Sequence, residues 1–159
     1  MNKVQLTIFA LSTLLLAASF TEPAEKTKES KEINWVTIEE AQELTKQEPR
    51  KVIMDVYTDW CGWCKKMDKT TFSDEEVVDY VNENFYAVKF NAEEKKNFSF
   101  KGQEFTNPEF TRALRVSGYP TVVFFSEDFS KFQPVSGFKQ ADDFLKMLES
   151  FNQAEPAGE

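Results

Sequence analysis

The stretch Asp55-Val56-Tyr57-Thr58-Asp59-Trp60-Cys61-Gly62-Trp63-Cys64-Lys65-Lys66 joins an apolar run to a pair of thiols. Val52, Ile53, Met54, Val56 and Tyr57 make residues 51–58 nearly continuous in apolar character, the pattern of a strand buried on both faces. Cys61 and Cys64 are the only two cysteines in the chain. A helix is expected to begin around Cys61 and run to about Lys69. Two thiols held at its start can close into a disulfide or open into a dithiol, and so pass two electrons to and from other proteins.

Outward from this stretch, strand and helix signals alternate. Residues 33–36 read as a short edge strand. Thr37-Ile38-Glu39-Glu40 is a capping box, and Ile38, Ala41 and Leu44 follow at helical spacing. Ser73-Asp74-Glu75-Glu76 reads as a second capping box, with Val77, Val81 and Phe85 as the inward stripe. Residues 86–91 and 121–126 read as strands. Asn107-Pro108 is expected to open a helix with a cap and a first-turn proline. Residues 132–138, interrupted by Pro134 and Gly137, read as an edge strand. A last helix is expected over 140–151, with Phe144, Leu145, Leu148 and Phe151 facing in. The alternation predicts an α/β fold with helices on both faces of the sheet.

With 159 residues, the chain suits one domain plus appendages. Apolar residues make up 41% and Phe occurs 16 times, enough to fill a core without disulfide staples. The net charge of −8 argues against a nucleic-acid partner. There is no histidine, and two cysteines fall short of the roughly four Cys or His ligands of a zinc site, so no metal is expected.

Lys3 is the only charge in residues 1–19, and an apolar run from Val4 to Phe20 follows it. Residues 1–19 read as a signal peptide, with Ala17 and Ser19 at the −3 and −1 positions of a cleavage site. An uncleaved anchor is the alternative; after cleavage no stable membrane insertion is expected. Either way the domain is exported, to the periplasm or another extracytoplasmic space where disulfide chemistry is open. Residues 20–32 read as a flexible charged tether, 33–151 as the domain and 152–159 as a disordered tail.

The order of Asp55, Trp60, Cys61-Gly62-Trp63-Cys64-Lys65, then Gly118-Tyr119-Pro120-Thr121, an apolar strand, Gly137 and a last helix resembles the thioredoxin superfamily. The resemblance covers roughly residues 33–151 and implies a thioredoxin-like fold, a central mixed sheet of four to five strands with helices on both faces. Asp55 to Asp74, including Thr71-Phe72-Ser73-Asp74, is most similar to the C-terminal thioredoxin-like domain of the membrane thiol reductase DsbD. Two departures from housekeeping thioredoxins stand out. Trp63 replaces the proline usual between the cysteines, and Lys69 replaces a helix-bending proline.

The resemblance implies roles. Cys61 is the attacking thiolate, favoured by the helix N-terminus and aided by Lys65 and Lys66. Cys64 resolves the mixed disulfide. Asp55 accepts the Cys64 proton, with a carboxyl pKa raised by burial; a solvated strand-end carboxylate is the alternative. Lys89 supports Asp55, or is an ordinary strand-edge lysine. Pro120 matches the family's cis-proline, and the Tyr119 backbone meets an extended peptide as an added strand. Trp60 and Trp63 line the docking surface, although plain core packing is an equal reading of Trp60. Gly137 permits close backbone approach. Residues 92–106 exceed a minimal connection. Their alternating Phe98 and Phe100 and the Lys101-Gly102 turn suggest a hairpin, either a recognition surface or phenylalanines packed on the core.

The leading expectation is an exported thiol-disulfide oxidoreductase, a protein-disulfide reductase with no cofactor beyond its own disulfide. Its partners would be disulfide-bearing client proteins and an upstream thiol reductase, a membrane-embedded one being a candidate. The alternatives are a thioredoxin-fold binding module with an inert structural disulfide, a specialised reductant for cytochrome c maturation, and a net oxidase.

Overall fold

The structure, a computed structural model, describes residues 32–154. The expected signal peptide, all of the tether but its last residue, and residues 155–159 lie outside the described residues.

Strand β2 (Lys51–Tyr57) is the centre of a five-stranded sheet in the order β1-β3-β2-β6-β7. β3 (Phe85–Asn91) lies parallel to it, and β1 (Trp35–Val36) is parallel to β3. β6 (Thr121–Phe125) is antiparallel to β2, and β7 (Phe132–Ser136) closes the other edge antiparallel to β6. The sheet is therefore mixed, as expected.

Successive β2 side chains face opposite sides, and this period sorts the core into two layers. Val52, Met54 and Val56 pack with Ile38 and Ala41 of α1 (Ile38–Gln47) and with Phe110 and Leu114 at α4 (Asn107–Ala113). Ile53 packs on the other side with Met67 of α2 (Gly62–Thr70), with Val77, Val78 and Val81 of α3 (Glu75–Asn84), and with Phe144 and Leu148 of α5 (Ala141–Gln153). Asp55 has the parity of Ile53, so its carboxyl group points to the α2 side of the sheet. Among the described residues, no helix is long and apolar enough to cross a membrane.

Residues 92–106 do form a hairpin, β4 (Asn97–Phe100) with β5 (Gln103–Thr106), turning through Lys101 at φ 51° and Gly102 at φ 77°. Two consecutive positive φ values suit the right-handed twist of the flanking strands. Phe98 and Phe100 pack on Phe110 at ring-centroid distances of 5.1 and 4.7 Å, so the hairpin extends the core.

Several boundaries differ from the sequence expectation, and Phe85, expected on the inward stripe of α3, instead begins β3. Helix α3 is capped by Asp74, whose Oδ1 accepts from Glu76 N at 3.1 Å and Val77 N at 3.2 Å; the Ser73 hydroxyl instead donates back to Lys69 O. Helix α4 is capped by Thr106 in a capping box with Glu109, and Asn107 is the first helical residue, its Nδ2 donating to Asn91 O at 2.7 Å. The first edge strand starts at Trp35, because Ile33 is occupied in the α3–α5 core layer. The last helix runs to Gln153, past the expected tail boundary at 152. Lys51 Nζ explains this last difference: it donates to the carbonyls of Phe151, Asn152 and Ala154 at 2.7, 3.1 and 2.6 Å, satisfying acceptors that a helix end leaves unpaired.

Candidate functional site

The β2 strand ends one turn before the thiols. Thr58 O accepts from Cys61 N at 3.1 Å, and Cys61 takes the N-cap position of α2 with extended backbone. Its Sγ accepts from Cys64 N at 3.1 Å, the bond that a Ser or Asp side chain makes at other helix starts. A sulfur there faces the unpaired N–H groups and the positive end of the helix dipole, which favour a thiolate. Cys61 and Cys64 are joined as a disulfide with Cα atoms 5.3 Å apart. Both residues are buried, so exposure does not rank them in this oxidised form. Position does: Cys61 caps the helix, and Cys64 lies within its first turn.

Two tryptophans flank the disulfide. Trp60 is 67% exposed and Trp63 57%, which rules out the core-packing reading of Trp60. The Trp60 ring meets Tyr119 edge-on at 5.9 Å, and its Nε1 donates to Glu93 Oε2 at 2.9 Å. Trp63 leans on Phe138 at 5.5 Å, with Lys66 Nζ 4.8 Å from one ring centroid and 5.0 Å from the other.

Pro120 is buried at the start of β6, and the Tyr119–Pro120 peptide bond is cis. Gly137 N donates to Pro120 O at 2.8 Å, which ties the end of β7 to this corner. Gly137 does not serve close approach as expected. A Cβ there would meet only Lys139 Nζ, at 3.7 Å; the backbone φ of +87° is what requires glycine.

Beneath the motif, Asp55 is 1% exposed, which excludes a solvated carboxylate. Lys89 is its direct partner on β3, and Lys89 Nζ stands 2.7 Å from Asp55 Oδ2. The approach lies off the hydrogen-bonding directions, and neither carboxyl oxygen accepts a well-directed hydrogen bond. Burial pushes the Asp55 carboxyl up to about 6, against the downward pull of Lys89. Lys89 itself titrates above its ordinary range: burial lowers it, but Asp55 and Asp68 together outweigh burial.

Asp68 is the member that sequence reasoning missed. Its Oδ1 accepts from Lys89 Nζ, so the ammonium bridges two carboxylates. Asp68 follows Cys64 by four residues on α2, on the same helix face. That spacing was the available signal. The Lys89 ammonium also lies 4.8, 5.2 and 5.2 Å from the ring centroids of Trp35, Tyr57 and Phe72, an aromatic surround that holds a cation. Glu93 and Phe138 were missed as well, because each meets its tryptophan only through space.

The chain is similar to known proteins in sequence and fold. The thiol:disulfide interchange protein DsbD of Actinobacillus pleuropneumoniae is 33% identical over 109 residues, 67% of this chain and 17% of that protein. The chain thus spans about a sixth of the length of this curated relative. The C-terminal domain of Neisseria meningitidis DsbD in its oxidised form is 26% identical, with a TM-score of 0.55 over 70% of this chain and 90% of that one. A thioredoxin from Thermus thermophilus shares the fold at 23% identity, TM-score 0.59, covering 74% and 85% of the two chains. A family model described as a thioredoxin-like domain matches residues 38–152, taking in the helix that Cys61 caps, the strands that hold Asp55 and Lys89, and Pro120 just before β6, and the chain belongs to that family.

Proposed function

We propose that this chain is an exported thiol-disulfide oxidoreductase that reduces disulfides in client proteins. The observation that carries the reading is the pairing of a helix-capping sulfur at Cys61 with a buried carboxyl group, Asp55, poised at about 6. A structural staple has no use for a proton acceptor tuned close to neutral pH, and a loop this short gains little entropy from closure.

In the dithiol form, the Cys61 thiolate attacks one sulfur of a client disulfide. That S–S bond breaks, a client thiolate leaves and takes a proton from solvent, and a mixed disulfide forms. Cys64 then gives its proton to the Asp55 carboxylate and attacks Cys61 Sγ. The second client thiolate leaves with a proton returned from Asp55, and the Cys61–Cys64 dithiol, having given up two electrons to the client, has closed as a disulfide. Trp60, Trp63, Tyr119 and Pro120 form the docking rim, Lys89 steadies Asp55, and Gly137 holds the Pro120 corner. An upstream thiol reductase restores the dithiol. The DsbD relatives, named as thiol:disulfide interchange proteins, support thiol-disulfide exchange as the chemistry.

Replacing Cys64 with Ser tests the reading. Expressed with its leader, the variant should accumulate mixed disulfides through Cys61 in the periplasm, released by dithiothreitol. No trapped client, together with no reduction of a disulfide substrate by the unaltered protein, rejects it. A reduction potential well above that of the glutathione pool would reverse the direction to net oxidation.

A further inference from the structure

The mouth of the disulfide is electrically lopsided. On the Trp60 side stand carboxylates: Glu93 accepts from the Trp60 indole, and Asp59 Oδ1 accepts from Asn91 Nδ2 at 3.2 Å. On the Trp63 side stand cations. Lys65, Lys66 and Lys69 are exposed on α2, the helix that carries the thiols. None of the three has a carboxylate partner among the described residues. The single acid of α2, Asp68, pairs with Lys89 and so is not a partner of the three lysines, although its side chain stays 42% exposed. Lys139 adds a fourth charge from the β7–α5 turn. Its Nζ donates to the carbonyls of Ser136 and Gly137 at 2.8 and 3.0 Å, and Thr71 Oγ1 fastens that turn to the end of α2 by donating to Lys139 O. Asp143, on the neighbouring helix, faces Lys146 instead.

Three exposed lysines without a carboxylate partner, with the half-buried Lys139 beside them on backbone carbonyls, are unexpected on one flank of a chain of net charge −8. Lys66 is also not free to swing, since it lies over both Trp63 and Phe138. Its charge is thereby held beside an exposed apolar ledge next to the disulfide. We propose that this flank selects clients whose reactive cystine lies in an extended segment with carboxylates on one side. The acidic residues dock over Lys65, Lys66, Lys69 and Lys139, and apolar side chains of the same segment rest on Trp63 and Phe138. This rests on the exchange reading above and adds the class of client to it. The overall negative charge does not cancel the preference. At ~0.1 M salt the Debye length is about 10 Å, so remote acids are screened while contacts at the mouth are not.

The test uses reduced full-length protein and four cystine peptides of equal length. Two carry a pair of Glu on one side of the reactive cysteine, N-terminal or C-terminal; one carries Ser and one carries Lys. Second-order exchange rates are measured at ~0.1 M and ~1 M salt. One of the Glu peptides should react about tenfold faster than the Lys peptide at low salt, a modest share of the range electrostatic steering spans. The difference should collapse at high salt. In the Lys65→Glu, Lys66→Glu, Lys69→Glu variant the order should invert, and in the corresponding Lys→Gln variant it should level. The ratio between peptides is the readout, because losing cations also weakens the Cys61 thiolate for every peptide alike.

Equal rates at low salt, or a lead for the Lys peptide over both Glu peptides, overturns the proposal. Binding to phosphatidylglycerol vesicles through the same lysines, with no discrimination among peptides, assigns the flank to a lipid surface and overturns it too. Exchange with none of the four peptides defeats the oxidoreductase reading itself, and the client preference falls with it.

Discussion

Lys89 Nζ lies 2.7 Å from Asp55 Oδ2, across neighbouring strands whose register sets the two residues directly opposite one another. The carboxyl group is held near neutrality by two opposed effects: burial raises it and the ammonium lowers it. Lys89→Met removes the second effect alone. The midpoint of Asp55 ionisation should then climb from about 6 by roughly one pH unit or more, the size of a close opposite charge. The ¹³C shift of the Asp55 carboxyl in the oxidised protein, followed through pH, reads this directly. A midpoint that stays at 6 or falls would mean that Lys89 does not act on Asp55.

Asp68 acts on the same carboxyl with the opposite sign. It adds negative charge near Asp55 and also shares the Lys89 ammonium. Asp68→Asn should lower the Asp55 midpoint and leave Lys89 wholly to Asp55. In kinetic terms, the pH at which Cys64 resolves a mixed disulfide should move down in Asp68→Asn and up in Lys89→Met. Shifts of the same sign in both variants would indicate a general disturbance of α2 in place of a charge relay.

Asp55 costs stability at the pH where it works. Its folded-state pKa of about 6 stands above the ordinary 3.8, so the folded protein binds this proton more tightly than the unfolded chain. The favourable contribution is complete below about 4 and is lost as pH rises through about 6. The difference of about two pH units corresponds to at most about 3 kcal/mol. Asp55→Asn in the oxidised protein should therefore be more stable than the parent at pH 8 by about 1–3 kcal/mol, with the gain fading toward pH 4. Urea unfolding at the two pH values measures this. A variant less stable at pH 8 than at pH 4, relative to the parent, contradicts the raised pKa.

The order of strands and helices was legible because the apolar period switches cleanly between the two element types, and Cys61-Gly62-Trp63-Cys64 announced its own chemistry. The burial of Asp55 was legible too, from its apolar neighbours Met54 and Val56. What stayed hidden depends on packing and on through-space reach. Lys89 beside Asp55 was expected from the resemblance, but Asp68 on the far side of that ammonium depends on how α2 lies over β3. Glu93 reaches Trp60 across 33 positions of sequence. The helix starts at 74 and 106 were each misplaced by one residue because adjacent Ser/Asp and Thr/Asn pairs are both able to cap, and only the local backbone decides between them.

The hairpin offers a last test, because its two readings predict different energies. Phe110 of α4 is 2% exposed and touches Phe98 and Phe100 of β4, Phe105 of β5 and Phe90 of β3, at centroid distances of 5.1, 4.7, 5.3 and 5.7 Å. If the hairpin is part of the core, Phe110→Ala opens a cavity whose walls come from three strands and cannot collapse together. The cost should be about 3–5 kcal/mol, and Phe98→Ala should approach the same range. Phe105 is only partly buried, so Phe105→Ala should cost distinctly less. A hairpin that serves as a detachable recognition flap predicts the reverse: little loss of stability from Phe98→Ala and a large loss of client exchange. Urea unfolding alongside exchange rates separates the two, and exchange unaltered in the folded fraction of Phe98→Ala places the hairpin with the scaffold and the disulfide rim with the clients.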